Sequence, residues 1–215
     1  ARAALDNTKD RGIVAAVERK EQLIPPGPCV DLTSLQVEAY RLFKFSPSRT
    51  LELAQTLYEA SLITYPRTSS QKIPPSINLA PIIAALASHP DYAALAKAIQ
   101  ANKWTKPLQG KKDDPAHPAI HPTGQKGKVE GPEKQLYDLI VRRFLAAFAP
   151  EAKKARVRVI VNAGDERYAA SGSRITEKGW IEFYGPHYTS EDVELPPFNE
   201  GERVDVHDKK KTKKE

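Results

Sequence analysis

The sequence predicts an α+β fold, with a helical, winged-helix-like domain inserted into a β-rich domain built from both ends of the chain. Three observations carry this expectation. Gly12-Ile13-Val14-Ala15-Ala16-Val17-Glu18 and Ala155-Arg156-Val157-Arg158-Val159-Ile160-Val161 alternate as half-buried strands do. Between them, apolar residues recur at spacings of three and four, as in amphipathic helices. Pro25-Pro26-Gly27-Pro28 forms a stiff connector where the first pattern gives way to the second. The expected domains are 1–24 as the first part of the β domain, 25–150 as the helical domain, 151–208 as the rest of the β domain, and 209–215 as a basic tail.

Within the helical block, Thr33 is a candidate cap for a helix carrying Leu35, Ala39, Leu42 and Phe43 on one face. Ser46-Pro47 places a cap residue before a first-turn proline and starts the next helix, with Leu51, Ala54, Tyr58 and Leu62 at helical spacing. The short connection around Phe45 makes the pair a helix-turn-helix candidate. Two shorter helices are expected over 78–87 and 91–102, separated by His89-Pro90. Residues 103–132 are rich in Lys, Asp, Gly and Pro and read as a long loop, a kind of segment that is usually functional or disordered. Residues 133–149 form an amphipathic helix with Leu136, Ile140, Phe144, Leu145 and Phe148 inward. Beyond the second alternating run, residues 167–173, 174–184 and 203–207 read as extended, punctuated by glycines.

At 215 residues the chain is long enough to bury a core. Its 33 Lys and Arg against 27 Asp and Glu leave a net charge of +6. The placement of that charge suits a polyanion: Lys209-Lys210-Lys211-Thr212-Lys213-Lys214, with pairs at Lys111-Lys112, Arg142-Arg143 and Lys153-Lys154, although such runs also serve as solvated faces or linkers. The single cysteine, Cys29, excludes an internal disulfide and points to a reducing compartment. No apolar stretch is long enough to span a bilayer, and the charged N-terminal stretch does not read as a signal peptide. The complete lack of methionine fits a piece of a larger protein.

Two segments carry candidate chemistry. In Leu62-Ile63-Thr64-Tyr65-Pro66-Arg67-Thr68-Ser69-Ser70, a phenol and a guanidinium stand two residues apart on a stretch stiffened by Pro66. The phenol is a potential nucleophile and the guanidinium a fork for phosphate oxygens. An unperturbed phenol, of pKa about 10, needs help from a cation to react near neutrality. Spacing alone does not separate this reading from a tyrosine packed at a helix end beside a surface arginine. In Pro115-Ala116-His117-Pro118-Ala119-Ile120-His121-Pro122-Thr123-Gly124, two histidines stand four apart, as on a metal-binding helix, but the prolines oppose a helix and no further ligand completes a set. Imidazole and hydroxyl donors to phosphate are one reading of this segment, and a stiff loop with satisfied histidines is the other. Asp113-Asp114 and Glu191-Asp192 are bare acidic pairs, and no phosphate-binding Gly-Lys-Ser/Thr loop occurs.

Leu57-Tyr58-Glu59-Ala60-Ser61-Leu62-Ile63-Thr64-Tyr65-Pro66-Arg67-Thr68-Ser69-Ser70 resembles the active-site segment of type IA DNA topoisomerases. Residues 116–123 resemble that family's second motif. Asp31-Leu32-Thr33-Ser34-Leu35-Gln36 resembles the opening of its tyrosine domain, and Gly179-Trp180 and Leu195-Pro196-Pro197-Phe198 fit its later strands. The continuation Ser69-Ser70-Gln71-Lys72-Ile73-Pro74 is similar to archaeal members of the topoisomerase I/III group.

The resemblance implies that Tyr65 attacks a single-stranded DNA backbone to form a 5′-phosphotyrosyl link, that Arg67 positions the scissile phosphate, and that His117 hydrogen-bonds a neighbouring phosphate. Gln55, Glu59, Thr64, Thr68, Ser69, Lys72, His121 and Thr123 map to the surrounding DNA-binding groove. The family's Mg²⁺ is expected, but the acidic residues that hold it belong to a domain this sequence lacks, so the metal ligands here are none. The expected partners are single-stranded DNA and the missing metal-binding and C-terminal domains, with no membrane, in a cytoplasmic, nucleoid-associated setting. The resemblance thus describes an internal piece carrying the gate, inactive alone. Position 69 departs from the pattern, being Ser where many members carry Asp. A non-catalytic winged-helix DNA-binding module and another tyrosine transesterase, such as a recombinase, remain as alternatives.

Overall fold

The computed structural model describes residues 10–190 and 192–205. The lysine run 209–214, Glu191 and the end of the strand expected over 203–207 lie outside the described residues. The fold is α+β, as expected. The chain divides into two compact units, one formed by Ala1–Ile24, Lys153–Glu177 and Ser190–Glu215, the other by Pro25–Ala152 and Lys178–Thr189.

The first unit is a four-stranded sheet in the order β3-β2-β1-β4, with β1 spanning Arg11–Ile24, β2 Ala152–Ala163, β3 Glu166–Glu177 and β4 Arg203–Asp205. Strands β2 and β3 pair antiparallel from Ala163↔Glu166 to Lys153↔Glu177. Gly164, at φ 71, supplies the positive φ that their two-residue turn requires. Strand β4 pairs antiparallel with the start of β1, Gly12 opposite Val204. The strands outrun the alternating segments because their outer portions are exposed and polar, so hydropathy does not mark them.

The second unit is helical. Helix α1 spans Leu32–Phe43, α2 Pro47–Glu59, α3 Ala80–Leu86, α4 Ala93–Ala101 and α5 Gly131–Ala146. The cap of α1 is Asp31 rather than Thr33: its carboxylate accepts from the Ser34 amide at 2.7 Å. Ser46 caps α2 as expected, accepting from the Arg49 amide at 3.2 Å with Pro47 in the first turn. The buried face of α2 is Thr50, Leu53, Ala54 and Leu57, one step round from the expected stripe, which leaves Tyr58 40% exposed. Leu136, Ile140, Phe144, Leu145 and Phe148 are all buried, so the 133–149 pattern located the central helix. The β-type pairing of this unit consists, among the described residues, of the isolated bridges Val30↔Ile120 and Ile63↔Pro122.

Residues Trp180–Tyr184, expected to be extended, form a short helix, α6. Gly179 starts it at φ 48, and a Cβ there would lie 2.4 Å from the Glu151 carbonyl. The Trp180 amide donates to the Pro150 carbonyl at 2.9 Å. In the following turn the His187 ring bonds Asp138 of α5 at 2.8 Å, and Arg142 grips the same carboxylate at 3.0 Å. Tertiary contacts with α5 therefore override the strand-like composition of this segment.

Candidate active site

Helix α2 ends in a left-handed turn that aims the chain at the site. Ser61 sits at φ 59, its amide bonding the Tyr58 carbonyl at 2.8 Å, while the Leu62 amide bonds the Leu57 carbonyl at 2.9 Å. This is a Schellman closure. Leu62 and Ile63 are buried immediately afterwards and anchor the exit. The chain then runs alongside residues 117–123: the Thr123 amide bonds the Leu62 carbonyl at 3.0 Å, and the Thr64 amide bonds the His121 carbonyl at 3.0 Å.

Tyr65 is held between two threonine clasps. On one side the Thr64 hydroxyl accepts from the His121 amide at 3.0 Å and donates to the Ala119 carbonyl at 3.3 Å. On the other the Thr68 hydroxyl donates to the His117 carbonyl at 3.2 Å and accepts from the Ser70 amide at 3.0 Å. Pro66 between them is buried, while Arg67 points out and is exposed. The Tyr65 ring itself is half-buried between two aromatic neighbours, with Tyr58 edge-on at 5.4 Å and His117 at 4.7 Å between ring centres.

The three residues assigned to chemistry thus fall on two adjoining loops. Tyr65 and His117 touch. Arg67 forms no ion pair or hydrogen bond among the described residues, so its guanidinium is free for an anion. The groove residues separate into two groups. Ser69 is exposed and donates to the Asp114 carboxylate at 3.4 Å, and Lys72 pairs with Asp113 at 2.9 Å. Gln55 donates to Glu59 one turn on at 2.9 Å, on the exposed side of α2. By contrast, Thr68 is 4% and His121 3% exposed, and the hydroxyls of Thr64, Thr68 and Thr123 are engaged with backbone, the last donating to the Ser61 carbonyl at 2.6 Å. These four hold the loop's shape.

Two residues were missed. Tyr58 was read as part of the buried helix face, and its position seven residues before Tyr65, across the helix end, was the available signal. In the sequence Asp114 shows only as one of a bare acidic pair. One of its oxygens accepts from the Ala116 and His117 amides at 2.9 and 3.3 Å, the other from Ser69. An aspartate just before a proline and a turn is the usual donor-gathering residue of such loops. Asp114 ties the histidine loop to the tyrosine loop, and it places a carboxylate beside the serine at position 69.

The electrostatics follow from these contacts. Amide hydrogen bonds, from Ala116 first and then Ser69 and His117, hold the Asp114 carboxyl below the usual range. Burial works to raise Asp31, but Lys112 at 2.7 Å and the Ser34 amide outweigh it and leave its pKa lowered. Burial lowers the His121 imidazole, only partly offset by its bond to the Pro122 carbonyl at 2.8 Å. Neutral His121 with its proton on Nδ1 leaves a buried Nε2 without a partner, and the ring stacks on Phe144 at 5.9 Å. No group of three or more His, Cys, Asp or Glu that could hold a metal ion occurs among the described residues. No helix among the described residues is long and apolar enough to cross a membrane.

A family model described as DNA topoisomerase matches residues 1–215. The chain is 45% identical over 99% of its length to DNA topoisomerase 1 of Pyrococcus horikoshii, and 34% identical over 93% of its length to DNA topoisomerase 3 of Dictyostelium discoideum. It spans 32% of the first of these proteins and 24% of the second. Full-length topoisomerase I from Thermotoga maritima shares the fold, with a TM-score of 0.70 over 93% of this chain and 33% of that one, at 23% identity. The chain belongs to the type IA DNA topoisomerase family.

Proposed function

We propose that this chain supplies the nucleophile of a transient single-strand DNA break. The Tyr65 phenolic oxygen attacks a backbone phosphorus and loses its proton as the P–O bond to the 3′ oxygen breaks. A 5′-phosphotyrosyl link and a free 3′-hydroxyl result, and the reverse attack by that hydroxyl reseals the strand. Arg67 holds the non-bridging oxygens and stabilises the charge that builds on them. His117 donates to a neighbouring phosphate and, through ring contact, keeps the phenol in place. The observation that carries this reading is the Tyr65–His117 ring contact at 4.7 Å, next to an arginine with no ion-pair or hydrogen-bond partner among the described residues.

Type IA enzymes are generally Mg²⁺-dependent. Another region of the parent protein contributes the metal site, and this chain alone does not relax supercoiled DNA; the lack of a metal-holding group among the described residues is consistent with that division. The link made and remade by Tyr65 would serve as a gate through which another strand passes.

The test mixes the chain with the metal-binding region of the parent, Mg²⁺ and an end-labelled single-stranded oligonucleotide, and traps adducts with denaturant. The expected product is a DNA-linked chain that mass analysis places on Tyr65, lost in Tyr65→Phe while oligonucleotide binding persists. An adduct surviving Tyr65→Phe would falsify the assignment. Relaxation of plasmid by the unaided chain would overturn the division of labour, and binding without any adduct would favour a non-catalytic module.

A further inference from the structure

We infer that a groove beside helices α3 and α4 is a second single-stranded DNA subsite, which takes bases of the strand leading away from Tyr65. This rests on the nucleic-acid reading above and adds a binding surface to it. The groove has a volume of about 1140 Å³, beyond the roughly 300–1,000 Å³ of a typical small-ligand pocket and so roomy enough for several linked bases. Its floor is apolar, with Ile73, Ile83 and Ile99 all buried. Trp104 is half-buried in its wall and offers an indole for stacking.

The rim is cationic. Lys72, Lys103 and Lys106 line it against the single carboxylate of Asp113. Lys72 is committed to that carboxylate, but Lys103 and Lys106 are exposed and pair with nothing among the described residues. The end of α4 sets this arrangement. The Lys103 amide bonds the Gln100 carbonyl and the Trp104 amide bonds the Ile99 carbonyl, both at 3.1 Å, in a second Schellman closure. That turn brings a cation and an aromatic ring to the groove edge in consecutive residues.

An apolar floor, a stacking ring and uncommitted lysines are the parts that bind single strands without reading sequence. An acidic peptide would satisfy the lysines, but nucleic acid also accounts for the ring and for the location. Lys72 and Asp113 at the groove rim adjoin Ser69 and Asp114 at the candidate active site, so one strand can follow both.

The experiment uses the Tyr65→Phe chain, which cannot form an adduct, so that the groove is tested apart from the chemistry. Short oligothymidylate is titrated while tryptophan emission is read, with and without Trp104→Phe to isolate the Trp104 signal from Trp180. The expected results are a Trp104-dependent quench and an affinity about tenfold weaker, with a shallower salt dependence, for Lys103→Gln/Lys106→Gln. Both lysines are exposed, and an unchanged circular dichroism melt checks that this variant folds. Retention of oligothymidylate in a gel without the Trp104 quench, unchanged affinity in the lysine variant, or an equal quench by polyglutamate would each overturn the subsite.

Discussion

The imidazole of His117 packs on the phenol of Tyr65 with 4.7 Å between ring centres, and the Thr68 hydroxyl holds the His117 carbonyl at 3.2 Å. One of the two clasps on the Tyr65 loop is thus a buried hydroxyl three residues beyond the tyrosine. The loop that carries Tyr65 is held by its own threonines, whose hydroxyls reach a segment some fifty residues further along the chain.

Thr68→Val keeps the shape and removes that hydroxyl, leaving the His117 carbonyl and the Ser70 amide without their partner. A buried polar group left unpaired costs about 1–3 kcal/mol. Urea denaturation should show a loss of that size. Adduct formation in the reconstituted assay should slow more than oligonucleotide binding weakens, and an unchanged denaturation midpoint would refute the clasp.

Tyr58→Leu removes the edge-on ring beside Tyr65. Contacts of this kind contribute roughly 0.5–1.5 kcal/mol beyond area burial. If the contact pre-positions the phenol, the adduct rate should fall about two- to tenfold. Stability should change little, because Tyr58 is 40% exposed. Single-turnover kinetics measures the first quantity and thermal melting the second.

Arg67→Lys retains the charge but loses the planar fork. Cleavage should slow roughly tenfold to a hundredfold while affinity for single strands stays near its original value. A matching loss in both would make Arg67 a general phosphate contact rather than a group specific to the scissile one.

Acid should weaken the fold in two windows. His121 has a lowered pKa in the folded state, so as pH falls the unfolded chain takes up the proton first. Its contribution is therefore complete above about pH 6.5 and declines as pH drops through the folded-state value. Asp31 and Asp114, also lowered, contribute above about pH 3.9 and lose their contribution below it. His121→Phe should flatten the slope in the upper window only, as followed by denaturant melts across pH. A slope that persists in His121→Phe would assign that window to another group.

Much of this was legible in local patterns. Ser46-Pro47 announced a helix start because a cap hydroxyl and a preset φ act within one turn. The stripe at Leu136, Ile140 and Phe144 marked the central helix because burial on one face imposes its period on the sequence. Tyr65, Arg67 and His117 stood out by residue type and by resemblance. Other features depended on partners far along the chain. Asp31 and Thr33 are both competent caps, and burial of Asp31 against Lys112 decided between them. Residues 180–184 have strand-like composition, but the Pro150 carbonyl and the packing on α5 make them a helix.

By itself the sequence was enough to identify the family, through the resemblance of two ordered motifs that carry a phenol, a guanidinium and an imidazole. Only folding decided which flanking side chains face outward and which lock the loop, turning Thr64, Thr68 and His121 inward and bringing Tyr58 and Asp114 to the site. The physical reason is that a hydroxyl or carboxylate has the same donors and acceptors wherever it stands. Whether they meet solvent or a backbone amide is settled by the segment packed across from it, and that segment lies some fifty residues further along the chain.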